Sequence, residues 1–229
     1  MTTAAPETMF TAFWLYSRRA DSSVWEDAVE SSDRASASFL STLTDAAPGV
    51  EVRGVYSTAG LSPEVDLIIW VVARDPEHLH DLATALRRTY LGRALDTQRV
   101  YLGSASNSQY DPTHGPAFLQ GKPPRRYLSV YPFIKTPDWY LLPYEERRDL
   151  MIEHGRMGKE YPSVLTNTVN SFGIADQEFI VALEDDDPGV LIKMVQRLRA
   201  AEVRKYTALD TPIYLGLLKE PAAALQTLF

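Results

Sequence analysis

The sequence predicts an α+β fold built from two tandem βαββαβ units of the ferredoxin-like kind. Three observations predict it. First, the chain repeats itself: Asp75-Pro76, Leu86-Arg87, Ala94-Leu95-Asp96-Thr97 and Tyr101-Leu102-Gly103 recur as Asp187-Pro188, Leu198-Arg199, Ala208-Leu209-Asp210-Thr211 and Tyr214-Leu215-Gly216. The offset is about 112 to 114 residues, and two copies of so long a unit mean a duplicated domain, not a solenoid. Second, each copy reads strand, helix, strand, strand, helix, strand, which is the split βαβ arrangement. Third, 229 residues at 45% hydrophobic and 23% charged supply enough apolar surface for a sizeable core. Each unit leaves one sheet face uncovered. Two such sheets facing each other would close into a dimeric α+β barrel.

The elements follow in order. In the first copy, Thr11–Ser17 is an aromatic-rich strand and Ser23–Leu43 a long helix. Strands follow near Val50–Ser57 and Val65–Ala73. Pro76 opens a helix in which Leu79, Leu82, Ala83 and Leu86 recur at helical spacing. Arg99–Gly103 is the last strand of that copy. In the second copy, Tyr127–Ile134 is a strand, and Pro143 opens a helix with Glu145 and Glu146 in its first turn, where the dipole favours acids. Val164–Phe172 and Glu178–Leu183 are strands, Pro188–Arg199 is a helix and Ile213–Leu218 the last strand. The expected organisation is therefore an N-terminal repeat over 8–105, a loop over 106–125 and a C-terminal, ligand-binding repeat over 126–229. The loop carries Pro112, Pro116, Pro123 and Pro124, and loops of this length are often functional.

Composition excludes several classes. There is no cysteine, hence no disulfide, thiolate metal site, iron–sulfur cluster or cysteine nucleophile. The net charge of −7 argues against general nucleic-acid binding. No apolar stretch approaches the roughly 20 residues of a membrane helix. Residues 1–7 lack a basic stretch followed by an apolar one, so a cytoplasmic protein is expected. No two glycines stand two apart, so a dinucleotide fingerprint is impossible. Phosphate-loop, zincin and serine-hydrolase motifs are also missing.

Four histidines remain to be weighed. His78 and His80 read as surface residues. His154 lies on the apolar stripe Leu150, Met151, His154, Met157, Gly158 and Tyr161, so it points inward. It is either a hydrogen-bonded core histidine or an iron ligand. An imidazole among soft and small residues suits axial haem ligation. The first copy carries Phe39-Leu40 at the matching place, so the repeat is broken by a polar residue at an inward position. His114, in the long loop, is either a surface residue or a mobile acid–base group that titrates near neutrality. Tyr131 and Lys135 share the strand Tyr131-Pro132-Phe133-Ile134-Lys135. Tyr131 is either a packing residue or a reactive phenol. Lys135 is either a solvated strand end or a point charge for a carboxylate.

Together, Tyr131-Pro132-Phe133-Ile134-Lys135, Trp139-Tyr140-Leu141-Leu142-Pro143, Glu145-Glu146-Arg147-Arg148 and His154-Gly155-Arg156-Met157-Gly158 resemble the chlorite dismutase-like haem protein family. Within it they are most similar to the actinobacterial members that decarboxylate coproheme. The resemblance implies a chlorite dismutase-like barrel and assigns His154 as axial iron ligand, Tyr131 as redox-active tyrosine, Lys135 as propionate contact and His114 as distal base. It implies hydrogen-peroxide-dependent conversion of two propionates of coproheme III to vinyls, giving haem b through a three-propionate intermediate and a tyrosyl radical. It further implies a cytoplasmic homopentamer in transient contact with the coproporphyrin ferrochelatase, with no nucleic acid and no membrane. The alternatives are a non-catalytic haem carrier and a weak chlorite dismutase or peroxidase. True chlorite dismutases carry a distal arginine near the place of Asn167, and no arginine stands between Arg156 and Arg197. Glu184 resembles the carboxylate that such enzymes place behind the proximal imidazole.

Overall fold

A computed structural model describes residues 8–19, 22–45, 49–106, 110 and 115–229. The chain divides into two compact units, one running up to Ser104 with Leu215–Phe229 added, the other spanning Ala105–Tyr214.

In the first unit, β1 (Met9–Arg18) is followed by α1 (Ser23–Glu30), α2 (Ser32–Thr44), β2 (Val50–Ser57), β3 (Leu67–Ala73), α3 (Pro76–Arg88), α4 (Tyr90–Arg93) and β4 (Leu95–Ala105). The strands lie in the order β4-β1-β3-β2. β3 is antiparallel to β1, with Phe10 opposite Ala73 and Tyr16 opposite Leu67, and antiparallel to β2. Its sequence, Leu-Ile-Ile-Trp-Val-Val-Ala, is apolar throughout and every residue is buried. Leu67, Ile69 and Val71 join Phe39, Leu43, Leu82 and Leu86 in one core. On the other face, Trp70 donates its indole N–H to the Thr11 hydroxyl at 2.7 Å and lies 4.6 Å below the Arg53 guanidinium.

The second unit holds β5 (Tyr127–Lys135), α5 (Pro137–Leu141), α6 (Tyr144–Gly158), β6 (Leu165–Asn170), β7 (Phe179–Asp185), α7 (Pro188–Leu198) and β8 (Thr207–Leu209). β5 lies between β7 and β8, and β6 pairs on the far side of β7. Trp139, Met157, Ala201 and Val203 form a buried cluster against which Leu150, Met151 and Tyr206 pack.

The Asp-Pro of each repeat serves one purpose twice. Asp75 accepts from the Glu77 N–H at 2.9 Å and Asp187 from the Gly189 N–H at 2.8 Å, with Pro76 and Pro188 in the first helical turn. Each carboxylate satisfies a free N–H, and each proline occupies a position where no N–H is needed.

Some boundaries differ from those expected. The helix over Ser23–Leu43 breaks at Ser31, whose N–H bonds to the Asp27 and Val29 carbonyls in a non-helical conformation. Two successive serines there compete for backbone hydrogen bonds. The strand expected at Arg99–Gly103 begins at Leu95. The strand expected over Val164–Phe172 ends at Asn170, because the Ser171 N–H turns back to the Glu178 carbonyl at 2.8 Å. At the C-terminus, β9 (Tyr214–Lys219) pairs antiparallel with β2, setting Val55 opposite Lys219. After it, α8 (Pro221–Gln226) sends Ala224, Leu225 and nearby Leu228 into the first unit's core. Among the described residues, no helix is long and apolar enough to cross a membrane.

Candidate functional site

The candidate site lies within the second unit. Tyr131 and Lys135 stand four apart on β5, which puts both side chains on one face of the sheet. His154 sits on α6. His114 lies outside the described residues.

Lys135 is not a solvated strand end; it is 8% exposed. Its ammonium stands 4.4 Å from the centre of the Trp139 ring and 5.2 Å from that of Phe133. The aromatic faces attract the charge without neutralising it. Its backbone N–H donates to the Glu178 carboxylate at 2.7 Å, and the Tyr140 hydroxyl donates to the same oxygen at 2.6 Å. Burial lowers the Lys135 pKa to about 8; Glu178 opposes that shift and Arg204 adds to it.

His154 is buried enough to lose most of its water. Its Nδ1 is inaccessible and has no hydrogen-bond partner. Burial lowers its pKa to about 4, the Lys135 ammonium pushes the same way, and Glu153 opposes. The imidazole is therefore neutral at pH 7, the form that ligates metals.

Burial also pushes the Tyr131 phenol up to about 12, with Asp210 adding to the shift and Arg199 and Arg204 opposing it. Tyr131 thus keeps its proton at neutral pH. Asp210 accepts ion pairs from both arginines, at 2.9 Å from Arg204. Residue type alone did not single out Arg199, Arg204 or Asp210. For Arg199 and Asp210 a signal existed, because both fall inside the repeated Leu-Arg and Ala-Leu-Asp-Thr motifs. For Arg204 there was none.

Other residues are committed elsewhere. Asn167 is fully buried; its carbonyl oxygen accepts from the Phe118 N–H at 3.0 Å and its amide donates to Glu184 at 2.9 Å. Glu184 also accepts from the Arg125 N–H at 2.9 Å. It therefore ties the inter-repeat segment to β6 and makes no bond to the His154 Nδ1. The Arg125 guanidinium pairs with Asp186 at 3.2 Å. Phe179 packs edge-on to Phe172 and Phe133.

The donor set fits one kind of metal. Among the described residues, no group of three histidine, aspartate or glutamate side chains could hold a bare ion. A single neutral imidazole with a free Nδ1 suits a metal that arrives with its other ligands in place, as iron does in a porphyrin. The nearby cations Lys135, Arg199 and Arg204 suit carboxylates on the rim of such a ring.

The sequence profile of the chlorite dismutase family matches residues 32–219. The coproheme decarboxylase of Mycolicibacterium smegmatis is 38% identical over 192 residues, covering 83% of this chain and 82% of that protein. A solved structure described as a chlorite dismutase is 27% identical, with a TM-score of 0.83 over 97% of this chain and 99% of that one. An arginine-to-lysine variant of the chlorite dismutase from Candidatus Nitrospira defluvii shares the fold alone. It is 22% identical, with a TM-score of 0.87 over 98% of this chain and 96% of that one.

Proposed function

Because this chain belongs to the chlorite dismutase family, we propose that it oxidatively decarboxylates coproheme III to haem b with hydrogen peroxide. The observation that carries the proposal is the neutral, buried His154 with a free Nδ1, beside Lys135. When bound, the iron porphyrin supplies peroxide activation and serves as the immediate electron acceptor. The protein's levers are ligand, position and charge.

His154 holds the iron through a ring nitrogen. Tyr131 gives up its phenolic hydrogen, as one proton and one electron, then takes a hydrogen atom from the propionate carbon next to the ring. Loss of carbon dioxide and a second electron leaves the vinyl group. For each propionate, two electrons and one proton leave the substrate; one peroxide takes up those two electrons with that proton and a second from solvent, and becomes two waters. Keeping the Tyr131 phenol protonated stores the hydrogen atom until it is needed. Lys135 holds the reacting carboxylate, and Arg199 and Arg204 set the positive field around it. His114 takes the proton from peroxide and returns it to the departing oxygen. Asn167 cannot replace the distal arginine of chlorite dismutases, because its amide is already spent on Phe118 and Glu184. On the same reading the working form is a cytoplasmic homopentamer that meets the coproporphyrin ferrochelatase transiently.

The test is to load the protein with coproheme, titrate peroxide and follow products by chromatography and mass. Stepwise loss of two carbon dioxides ending in haem b is expected. Tyr131→Phe is expected to bind coproheme and yield no haem b. Full activity in that variant would remove the mechanism, and bleaching without decarboxylation in the parent would move the function to a carrier.

A further inference from the structure

The first unit repeats part of the site without its histidine. In the repeated motifs Arg87 corresponds to Arg199 and Asp96 to Asp210, and β1 carries a tyrosine, Tyr16, as β5 carries Tyr131. Burial raises the Tyr16 phenol and Arg87 opposes it, as Arg199 does for Tyr131. In place of His154 the first copy has the core residue Phe39, 1% exposed. The unit has therefore lost the means to hold iron and kept the charged part.

That part borders an open cleft of about 650 Å³, where Arg19, Arg87, Arg93 and Asp96 supply the charge and Val24 and Leu95 the apolar lining. Arg19 is committed: its Nε and Nη2 donate to one Asp96 oxygen at 2.9 and 2.6 Å. Arg87 and Arg93 make no ion pair with any described carboxylate. Arg93 only stacks over the Tyr90 ring at 5.7 Å. Among the cleft's lining residues, three guanidiniums thus meet one carboxylate, in a chain whose net charge is −7. Two guanidiniums without described carboxylate partners, both lining the cleft, match a dianion better than a single carboxylate. A phosphate carries roughly 1.5 to 2 negative charges at neutral pH and accepts paired guanidinium bonds.

We propose that this cleft in the first unit is a second ligand site that binds a phosphate group through Arg87 and Arg93. The site is separate from His154 and needs no metal. Three guanidiniums against one carboxylate select an anion as its occupant, and a small phosphate compound is the class it takes.

Inorganic phosphate, titrated calorimetrically into the full chain at low salt, is the probe. One bound phosphate per chain is expected at this cleft, with affinity falling as salt rises. Arg87→Gln with Arg93→Gln is expected to weaken it at least about tenfold, as the loss of charge-assisted bonds requires. Arg199→Gln with Arg204→Gln is expected to leave this site within about threefold, since only an interaction of about 1.4 kcal/mol or more shifts affinity tenfold. Circular dichroism confirms that each variant folds, and Arg93→Lys, which keeps the charge, is expected to retain binding. No binding by the parent chain, equal binding by the Arg87/Arg93 variant, or equal loss in both double variants overturns the site. Tighter binding of citrate than of phosphate overturns the assignment to phosphate.

Discussion

The His154 imidazole is kept neutral by burial first and by the Lys135 ammonium second, while Glu153 pulls the other way. Lys135→Met removes one of these influences, so the His154 pKa is expected to rise toward the ordinary histidine range. A proton NMR titration of the metal-free chain reads this directly, and an unmoved His154 would show that the two side chains do not interact. The same shift sets the acid stability of the metal-free chain. Between pH 6.5 and about 4 the unfolded state binds a proton at His154 that the folded state refuses. Stability therefore falls as pH drops through that window and levels off below it. At 1.36 kcal/mol per pKa unit the loss is on the order of 3 kcal/mol. Urea unfolding of the parent and of His154→Phe at pH 7 and pH 4.5 should show the parent losing more. His154 stood out in the sequence as a polar residue on an apolar stripe, whereas Tyr131 and Lys135 gained a definite role only through the family resemblance. Arg204 was not legible, because a charge outside the repeated motifs carries no periodic signal.

The Asp-Pro pairs show how an element is specified by few atoms. Asp75 and Asp187 each accept one helix N–H, and each stands before a proline that fixes the first turn. Asp187→Ala is expected to cost about 1 kcal/mol, the usual worth of an N-cap side chain. Asp187→Asn is expected to cost less, since the amide oxygen still accepts. Equal losses for the two variants, measured by urea denaturation, would mean that charge and not the cap bond matters. Long periodic helices and apolar strands such as β3 were legible for the same reason, many residues voting for one period. α5, of five residues, and β8, of three, were not. A three-residue strand has no period to read, and β8 exists only because β5 offers it Ile134 and Lys135 to pair with.

At the scale of the molecule, the repeat announces two similar units, yet the final segment of the chain folds into the first. Residues Leu215–Phe229 count with that unit. The repeat could not show this, because the matching motifs end at Gly216 and nothing in the first copy corresponds to α8. The physical reason lies in the side chains. Ala224, Leu225 and Leu228 are fully buried, and Phe229 stacks on Trp25 at 5.3 Å with the rings 10° from parallel. The Thr227 hydroxyl lies 2.7 Å from that of Ser57, joining the segment to the end of β2. Burying one leucine contributes about 1.5–3 kcal/mol by transfer alone, before the contacts around it are counted. Leu225→Ala should therefore destabilise the first unit by about 2–5 kcal/mol, the range for a buried leucine cut to alanine. Ending the chain after Lys219 removes the whole plug, strips Trp25 of its stacking partner Phe229 and takes Ala224, Leu225 and Leu228 out of the core. That truncation should abolish the cooperative unfolding of the first unit, read from the near-ultraviolet signal of its tryptophans. A truncated chain that unfolds with the parent's midpoint would show that α8 merely rests on the unit and does not complete its core.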